Sequence, residues 1–263
     1  MEFSLIDTIV APGSLSFLFQ PIVRAAGSHY EVYSYEALTR GPAGTNVHAA
    51  DVLFEYVRRK QEEVRVDRLC VAGALDAATV LDPHVRLNLN VHASTLTRDP
   101  AFPDYVCGHA ADAGIAAERL VFEIVEYAPG STGPAFAAAL EKLRRRGCAI
   151  ALDDVGLGNS NYRMILDSRP DYYKVDRFLV DGVAADSYRL AIIRSLGSLA
   201  GAVGATVVAE GVESEEDVAA LRSAGIPLFQ GFFFGRPKPA AELAAGTWMT
   251  GADARPEAPS EEA

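Results

Sequence analysis

Acidic, amide and lysine side chains interrupt short apolar runs at several places along this sequence. The interrupting residues are Glu36, Asn88, Asn90, Glu123, Asp153, Asp154, Lys174 and Glu210. A charged group is costly to bury in an apolar strand unless it is paired or binds a metal ion. One such residue would mean little, but six predicted strands that carry them indicate one shared site.

The residue types in this set are the ligands that hard divalent cations prefer. Carboxylate and amide oxygens without clustered Cys or His suit Mg²⁺ or Mn²⁺ rather than zinc or copper. The five histidines are scattered, with no pair at helical spacing, so a histidine-based metal site is not expected. We therefore interpret the set as a divalent-metal site that acts on a phosphate ester.

The overall charge narrows the class of partner. The chain of 263 residues carries a formal net charge of −11, which disfavours a broad surface attraction to nucleic acid or to anionic lipid. An acidic protein must meet a phosphate substrate with metal ions and a few placed cations. We expect neither a nucleic acid polymer nor a membrane as a partner.

Each residue of the set has an ordinary explanation when it is taken alone. A lone Glu at a strand end is more often a surface charge, Lys174 would more often pair with a nearby acid, and Asn88 or Asn90 would more often close a turn. The Gly156-Leu-Gly158 segment lacks the complete GxGxxG pattern, which argues against a nucleotide cradle. Only the residues taken together favour a site.

Apolar, β-branched or aromatic runs alternate with segments of helical periodicity along the chain. The runs predict strands at residues 17–23, 30–38, 85–91, 120–125, 149–153, 172–175, 206–209 and 228–233, and the helices between them include residues 49–60, 134–146, 188–203 and 215–224. Ser214 is predicted to cap the last of these helices and Gly225 to end it, with Val218 and Leu221 as its buried stripe. This alternation favours an α/β fold, a TIM-like (β/α)8 barrel, over an open sheet.

A barrel of this kind would bring the acidic residues together. Parallel strands place their C-terminal ends around one mouth, where such barrels carry their catalytic groups. Asp153 and Asp154 are adjacent, so their side chains point in different directions along a strand. Both can reach a metal only where the strand gives way to a loop, and Gly156 and Gly158 would permit that turn.

The cysteines and the chain ends predict the compartment and the domain organisation. Cys70, Cys107 and Cys148 match neither a disulfide framework nor a zinc spacing, so we expect small core residues in a reducing cytoplasm. The first residues lack the pattern of a secretory signal, and no apolar run is long enough to span a membrane. We expect one domain over residues 1–248 and a disordered acidic tail over residues 249–263.

Several motifs, in order along the chain, resemble those of the EAL domain family, the cyclic di-GMP phosphodiesterases. The resemblance runs from Phe19-Gln-Pro-Ile-Val23 to Lys238-Pro239, and Tyr35-Glu-Ala-Leu-Thr-Arg40 carries the naming motif. Further matching segments are Asn90-Val-His92, Glu123-Ile-Val-Glu126, Asp153-Asp-Val-Gly156, Tyr173-Lys-Val-Asp176, Ala209-Glu-Gly-Val-Glu213 and Gln230-Gly231. The resemblance implies a barrel whose first strand runs antiparallel to the others, and hydrolysis of cyclic di-GMP to linear pGpG.

The resemblance also implies a role for each matching residue. Mg²⁺ or Mn²⁺ in a two-metal site would be held by Glu36, Asn90, Glu123, Asp153, Asp154 and Glu210. Lys174 would orient or help activate the attacking water, and Glu36 and Glu210 would take part in catalysis. The substrate and the waters of the site would be contacted by Gln20, Arg40, Asp176 and Gln230, and the loop after Asp154 would be supported by Glu126, Gly156 and Ser160.

The loop after Asp154 departs from the family's pattern. Val155, Leu157 and Asn159 stand where the family has Phe, Thr and Tyr, and His92 stands where it has Ser. In the family that loop couples dimerisation to the second metal, so the alternative function is a catalytically weak or inactive receptor or scaffold for cyclic di-GMP. The resemblance implies a homodimer, and we expect His92 to be solvated or to support a ligand rather than bind metal.

Overall fold

The eight predicted strands close into a barrel in the computed structural model. The structure describes residues 4–27, 29–125, 132–157 and 162–245. The strands are β1 (Ser16–Ala26), β2 (His29–Arg40), β3 (Arg86–His92), β4 (Leu120–Val125), β5 (Ala149–Val155), β6 (Tyr172–Val175), β7 (Thr206–Ala209) and β8 (Leu228–Gln230). They are hydrogen-bonded in sequence order, with β8 returning to β1, which confirms the predicted (β/α)8 barrel.

The first strand runs against the direction of all the others. β1 pairs antiparallel with β2 and with β8, whereas each successive pair from β2 to β8 is parallel. The register places Gln20 opposite Glu36 of β2, and Ile22 opposite Gln230 of β8. The strand orientation that the family resemblance implied is therefore confirmed, and it brings Gln20 to the level of an acidic residue.

Four strands differ in length from the sequence-based prediction, and β1 spans Ser16–Ala26 rather than residues 17–23. β2 spans His29–Arg40 rather than residues 30–38, because it pairs with the long β1. β5 continues to Val155 rather than ending two residues earlier. β8 stops at Gln230 instead of residue 233, and the chain beyond it hydrogen-bonds to Val212.

Two layers of side chains fill the inside of the barrel. The lower layer is buried and mostly apolar, and consists of Ile22, Val121, Ala151, Tyr172, Val208 and Leu228. Because side chains alternate between the two faces of a strand, the residues two positions further toward the mouth also point inward. In the strands from β4 to β8 these residues are Glu123, Asp153, Lys174, Glu210 and Gln230. The polar side chains of the upper layer therefore pack on top of an apolar layer.

Helices cover the outside of the barrel. They are α1 (Leu5–Ile9), α2 (Ala50–Lys60), α3 (Glu63–Ala78), α4 (Ala93–Arg98), α5 (Phe102–Asp112), α6 (Pro134–Arg145), α7 (Tyr162–Ser168), α8 (Arg177–Val180), α9 (Ser187–Ala202), α10 (Glu215–Ser223) and α11 (Ala240–Ala244). As predicted, the side chain of Ser214 caps α10, Val218 and Leu221 are buried, and Gly225 follows its end with a φ of 80°. No helix in the described ranges is long and apolar enough to cross a membrane.

The outer faces of the strands pack against these helices. Phe122 of β4 meets Phe102 of α5 edge to face, with ring centroids 6.4 Å apart. Cys70, Cys107 and Cys148 are free and buried, which confirms that they are core residues. This packing holds the strands whose ends carry the polar residues.

A glycine after β8 lets two backbone segments approach closely. The N–H of Val212 donates to the carbonyl of Gln230, and the N–H of Phe233 donates to the carbonyl of Val212, so Val212 lies across Gly231. A Cβ at Gly231 would lie 2.0 Å from the carbonyl oxygen of Val212 and 2.3 Å from its nitrogen. Gly231 is therefore needed where β8 ends and Gln230 points into the barrel.

Replacing Gly231 with Ala should lower the free energy of unfolding by about 1–3 kcal/mol, because the backbone of Val212 must shift to admit a methyl group. Gly201→Ala is the matched control, since nothing lies within 4 Å of a Cβ at that position of α9. Ala at a helical position is favoured over Gly by roughly 0.5–1 kcal/mol. Urea denaturation measures both changes, and equal midpoints would contradict the close approach at Gly231.

Candidate active site

The ammonium group of Lys174 lies among four carboxylates at the mouth of the barrel. Its Nζ is 2.6 Å from an oxygen of Glu123, 2.6 Å from Glu210, 3.1 Å from Glu36 and 3.6 Å from Asp153. The lysine side chain is 1 % exposed. The acids come from β2, β4, β5 and the end of β7, so the structure brings together the strands that the sequence pattern singled out.

Amide side chains hold two of the acids in position. Asn90 donates to Oε1 of Glu36 at 3.0 Å, and Gln230 donates to its Oε2 at 2.7 Å. Asn88 donates to Oε1 of Glu123 at 2.6 Å. Because both glutamates are buried, these hydrogen bonds replace water that the carboxylates lose on folding. Asn88 was predicted to belong to the polar set but not to hold a ligand, although Asn88 and Asn90 share one face of β3 at the period of a strand.

Burial and neighbouring charges shift the protonation of these groups. Burial raises the pKa of Glu123 well above its usual value, and the other acids add to the rise. Burial raises the pKa of Glu210 to about 8 even though Lys174 opposes the shift. Burial also acts to raise the pKa of Glu36, but Lys174 and the amide donors lower it below its usual value. Burial acts to lower the pKa of Lys174, but the four acids outweigh it and raise the pKa well above its usual value.

Asp153 and Asp154 diverge at an irregularity in β5. The register with β6 shifts between Leu152 and Val155, and Asp154 has a positive φ of 54°. Asp adopts this conformation more readily than most residues. The sequence predicted a loop at this point, but a β-bulge inside a longer strand turns Asp153 inward and leaves Asp154 exposed.

Two cavities share Glu36 as a lining residue. The larger cavity, of about 480 Å³, is also lined by Asn90, Asp153 and Asp154 and by parts of β2, α2 and α3. The smaller cavity, of about 250 Å³, is also lined by Gln20, Arg177, Glu210, Glu213, Gln230 and Phe232. A ligand in either cavity would meet Glu36.

The residues expected to contact substrate lie in different settings. Gln20 and Gln230 are joined by a hydrogen bond of 3.2 Å beside the smaller cavity. Arg40 ends β2, where its guanidinium donates to a neighbouring backbone carbonyl at 3.0 Å. Asp176 accepts a backbone N–H at the start of α8 and caps that helix. The structure thus brings the two glutamines to the acid cluster, whereas Arg40 and Asp176 make local contacts.

The residues expected to support the loop after Asp154 are only partly described. Glu126 and Ser160 lie outside the described residues, as does the tail over residues 249–263. Gly156 has a φ of 103°, and a Cβ there would lie 2.6 Å from the side chain of Leu179. The turn that follows β5 therefore packs directly against α8.

His92 is buried rather than solvated. Its ring Nδ1 lies 2.8 Å from Asp67, and its backbone N–H donates to the same carboxylate at 3.0 Å. Both residues line the larger cavity together with Asn90, so the pair holds the end of β3 against α3. Asp67 was not among the predicted site residues, although an acid between Val66 and Cys70 on the buried face of a helix was a usable signal.

The donor set suits a hard divalent cation. Among the described residues, Oδ1 of Asn88 and Oε1 of Gln230 are buried and accept no hydrogen bond from the protein, and such oxygens are costly unless another group satisfies them. Within the same ranges, no three His, Cys, Asp or Glu side chains form a preassembled metal site, because the four acids turn toward Lys174. A metal ion at this mouth would share its carboxylates with the lysine.

The chain is similar to bacterial signalling proteins. It is 30% identical over 246 residues to an uncharacterized signaling protein of Caulobacter vibrioides, a match that covers 93% of this chain and 30% of that protein. It is 32% identical over 155 residues to the cyclic di-GMP phosphodiesterase RocR of Pseudomonas aeruginosa, a match that covers 59% of this chain and 39% of RocR. The matches therefore span less than half the length of either relative.

A solved structure and a family model agree with these matches. BlrP1 of Klebsiella pneumoniae, in complex with calcium and cyclic di-GMP, matches with a TM-score of 0.76 and 31% identity, covering 86% of this chain and 56% of that one. A manganese complex of the same protein has the same TM-score and identity. The family model for the EAL domain matches residues 6–237, so this chain belongs to the EAL domain family.

Proposed function

We propose that this chain is a metal-dependent phosphodiesterase that hydrolyses cyclic di-GMP to linear pGpG. The observation that carries the proposal is the contact of Lys174 with four carboxylates beside two cavities. Support comes from RocR, which is named as a cyclic di-GMP phosphodiesterase, and from BlrP1, which binds cyclic di-GMP with calcium or manganese. The three free cysteines support the cytoplasm as the compartment.

The metal ligands that we propose are those indicated by the family resemblance. Glu36, Asn90, Glu123 and Asp153 would hold one ion, and Asp153 would share a second ion with Asp154 and Glu210. When bound, Mg²⁺ or Mn²⁺ supplies a Lewis acid that polarises the phosphoryl oxygens, lowers the pKa of the attacking water and stabilises the leaving alkoxide. Asp154 supports this assignment because it lines the same cavity as Asp153, Asn90 and Glu36.

Lys174 would orient the attacking water by donating a hydrogen bond to it. The surrounding acids raise the pKa of the ammonium group over the opposing effect of burial, so it keeps its protons and cannot accept one. Asn90 and Gln230 hold Glu36 in a fixed orientation. Groups that are fixed before the substrate arrives need no reorganisation during the reaction.

The residues that we propose for substrate contact lie around the acid cluster. Arg40 follows Thr39, which lines the larger cavity, and its guanidinium would exchange a backbone carbonyl for a substrate phosphate. Gln20 lines the smaller cavity. Asp176 follows β6 two residues after Lys174. We propose that Gln20 and Gln230 contact a ligand in the smaller cavity directly, and that Arg40 and Asp176 reach it by giving up their local hydrogen bonds.

The second candidate function is a receptor that binds cyclic di-GMP without hydrolysing it. Val155 and Leu157 follow Asp154 in place of the residues typical of the family. The four acids also turn toward Lys174 in this structure. Both features disfavour the binding of metal ions, but they leave the two cavities available to a ligand.

Purified protein incubated with cyclic di-GMP and Mg²⁺ or Mn²⁺ should release pGpG, and Glu36→Ala should reduce the turnover more than about 100-fold. A direct ligand should exceed the 10–100-fold loss that is typical of residues that only orient ligands. Glu31→Ala is the matched control, because Glu31 lies on the same strand and forms exposed ion pairs with Arg24 and His29. Chromatography of the nucleotides measures the turnover.

Each other outcome of this experiment rejects a defined part of the proposal. Binding of cyclic di-GMP without pGpG in either metal would refute hydrolysis and establish the receptor. Retained turnover in Glu36→Ala would refute Glu36 as a ligand. An absence of nucleotide binding by calorimetry would reject both functions and leave a structural interaction domain.

In metal-free protein, Lys174→Met should lower the free energy of unfolding by about 3–5 kcal/mol, because the buried carboxylates lose the cation that compensates them. Mn²⁺ should stabilise the variant more than the parent protein and so reduce this loss, because in the variant the ion does not share the carboxylates with an ammonium group. Lys142→Met is the control, as Lys142 is half-exposed and 4.0 Å from Asp104, and its loss should cost less than about 0.5 kcal/mol. Unfolding in EDTA and in Mn²⁺ measures both, and equal losses in the two conditions would argue against a metal at these acids.

We also propose that the chain forms a homodimer through α7, α8 and α9. Large apolar side chains are exposed on these helices: Tyr162, Leu166, Phe178, Tyr188 and Ile192. α8 contacts α9, and exposed apolar patches mark contact sites. The family resemblance supports a second copy of the chain as the partner.

Phe178→Asp should convert the dimer to a monomer, because a buried, unpaired carboxylate is incompatible with an apolar interface. Val80→Asp is the control, since Val80 is also exposed but lies in the turn after α3. Light scattering coupled to size exclusion measures the mass of each protein. A monomeric parent protein at micromolar concentration would contradict the proposal.

A further inference from the structure

Two cysteines of the outer layer lie side by side although 41 positions separate them. The sulfur of Cys107 in α5 is 3.9 Å from the sulfur of Cys148, which lies in the turn between α6 and β5. Both thiols are free and buried, and both belong to the main apolar cluster. The third thiol, that of Cys70 in α3, belongs to a different cluster.

The surroundings of the two thiols are unequal. Arg146 donates to Asp104 at 2.9 Å and so joins the end of α6 to the first turn of α5. The hydrogen bond with Cys148 lowers the pKa of Cys107, and the charge of Arg146 lowers it further. The same hydrogen bond raises the pKa of Cys148, and burial adds to the rise. The charge of Arg146 thus favours a thiolate at this pair, whereas burial opposes it.

We infer that Cys107 and Cys148 form a redox-active thiol pair that closes to an intramolecular disulfide when the protein meets a peroxide. The sulfurs of a disulfide are about 2.05 Å apart, so the two atoms must approach each other by roughly 2 Å from their present 3.9 Å. Closure of the bond therefore requires rotation about the Cα–Cβ bond of one or both residues. The bond would tie α5 to the base of β5, the strand that carries Asp153 and Asp154 at its other end.

The reaction is balanced with hydrogen peroxide as the oxidant. The thiolate of Cys107 attacks one peroxide oxygen, the O–O bond breaks, and water leaves after protonation, which gives a sulfenic acid on Cys107. The sulfur of Cys148 then attacks the sulfenic sulfur, its proton passes to the departing hydroxyl group, and a second water leaves. Two thiols are oxidised, one peroxide is reduced, and the S–S bond forms.

Folded protein treated with hydrogen peroxide should lose two of its three titratable thiols. After unfolding in an alkylating reagent, peptide mapping without reductant should show one crosslinked species that joins the peptides of Cys107 and Cys148, with Cys70 alkylated. Dithiothreitol should restore all three thiols. Three alkylated cysteines after peroxide treatment, or a crosslink that joins two molecules, would overturn the inference.

Single serine variants separate the pair from a general oxidation of buried thiols. Cys70→Ser should form the crosslink to the same extent as the parent protein. Cys107→Ser and Cys148→Ser should form no intramolecular crosslink. The same peptide mapping shows the state of the two cysteines that remain in each variant. A crosslink that involves Cys70 in either variant, or formation of the bond only in urea-unfolded protein, would also refute a preformed pair.

Discussion

A single buried cation holds the mouth of this barrel together. The ammonium group of Lys174 lies within 3.6 Å of four carboxylates from four strands. Two opposite charges about 4 Å apart attract each other by about 4 kcal/mol at an effective dielectric constant of 20, and like charges repel by as much. Burial of the acids is therefore far less costly with the lysine present, and burial of the lysine is less costly with the acids present. Closure of the barrel brings these opposite charges together, so the fold and the site stabilise each other.

The apolar lower layer of the barrel and the amide side chains determine the geometry of this charge cluster. Residues such as Val121 and Tyr172 fill the barrel below the acids. The inward-facing side chains above them can therefore point only toward the mouth. Gln230 donates to both Gln20 and Glu36, so the antiparallel β1 joins the same network. A hydrogen bond fixes the rotation of a carboxylate, which charge attraction alone leaves free. Packing therefore sets the direction in which the acid side chains point, and the amides set the rotation of their carboxylate groups.

The direction of each side chain was predictable from the sequence, whereas the contacts between distant strands were not. Period-two alternation places Glu123 and Lys174 on the inner face once their strands are recognised. The distance between Lys174 and Glu36 depends on barrel closure across 138 positions, which no local pattern encodes. The orientation of β1 came from the family resemblance, because parallel and antiparallel strands can share the same alternation. The contact between His92 and Asp67 was missed for a similar reason, since it joins a strand to a helix.

The bulge at Asp154 divides the candidate ligands into two groups, whose positions are fixed by different interactions. The inner acids are held by Lys174 and by amides, and their positions follow from charge and burial. Asp154 is exposed and adopts a left-handed conformation that costs roughly 1–2 kcal/mol in an L-residue, so its position depends on the turn beyond it. That turn contacts α8 through Gly156 and Leu179, next to the exposed apolar side chains of α7 to α9. The position of Asp154 is therefore linked through Gly156 and Leu179 to the packing of α8.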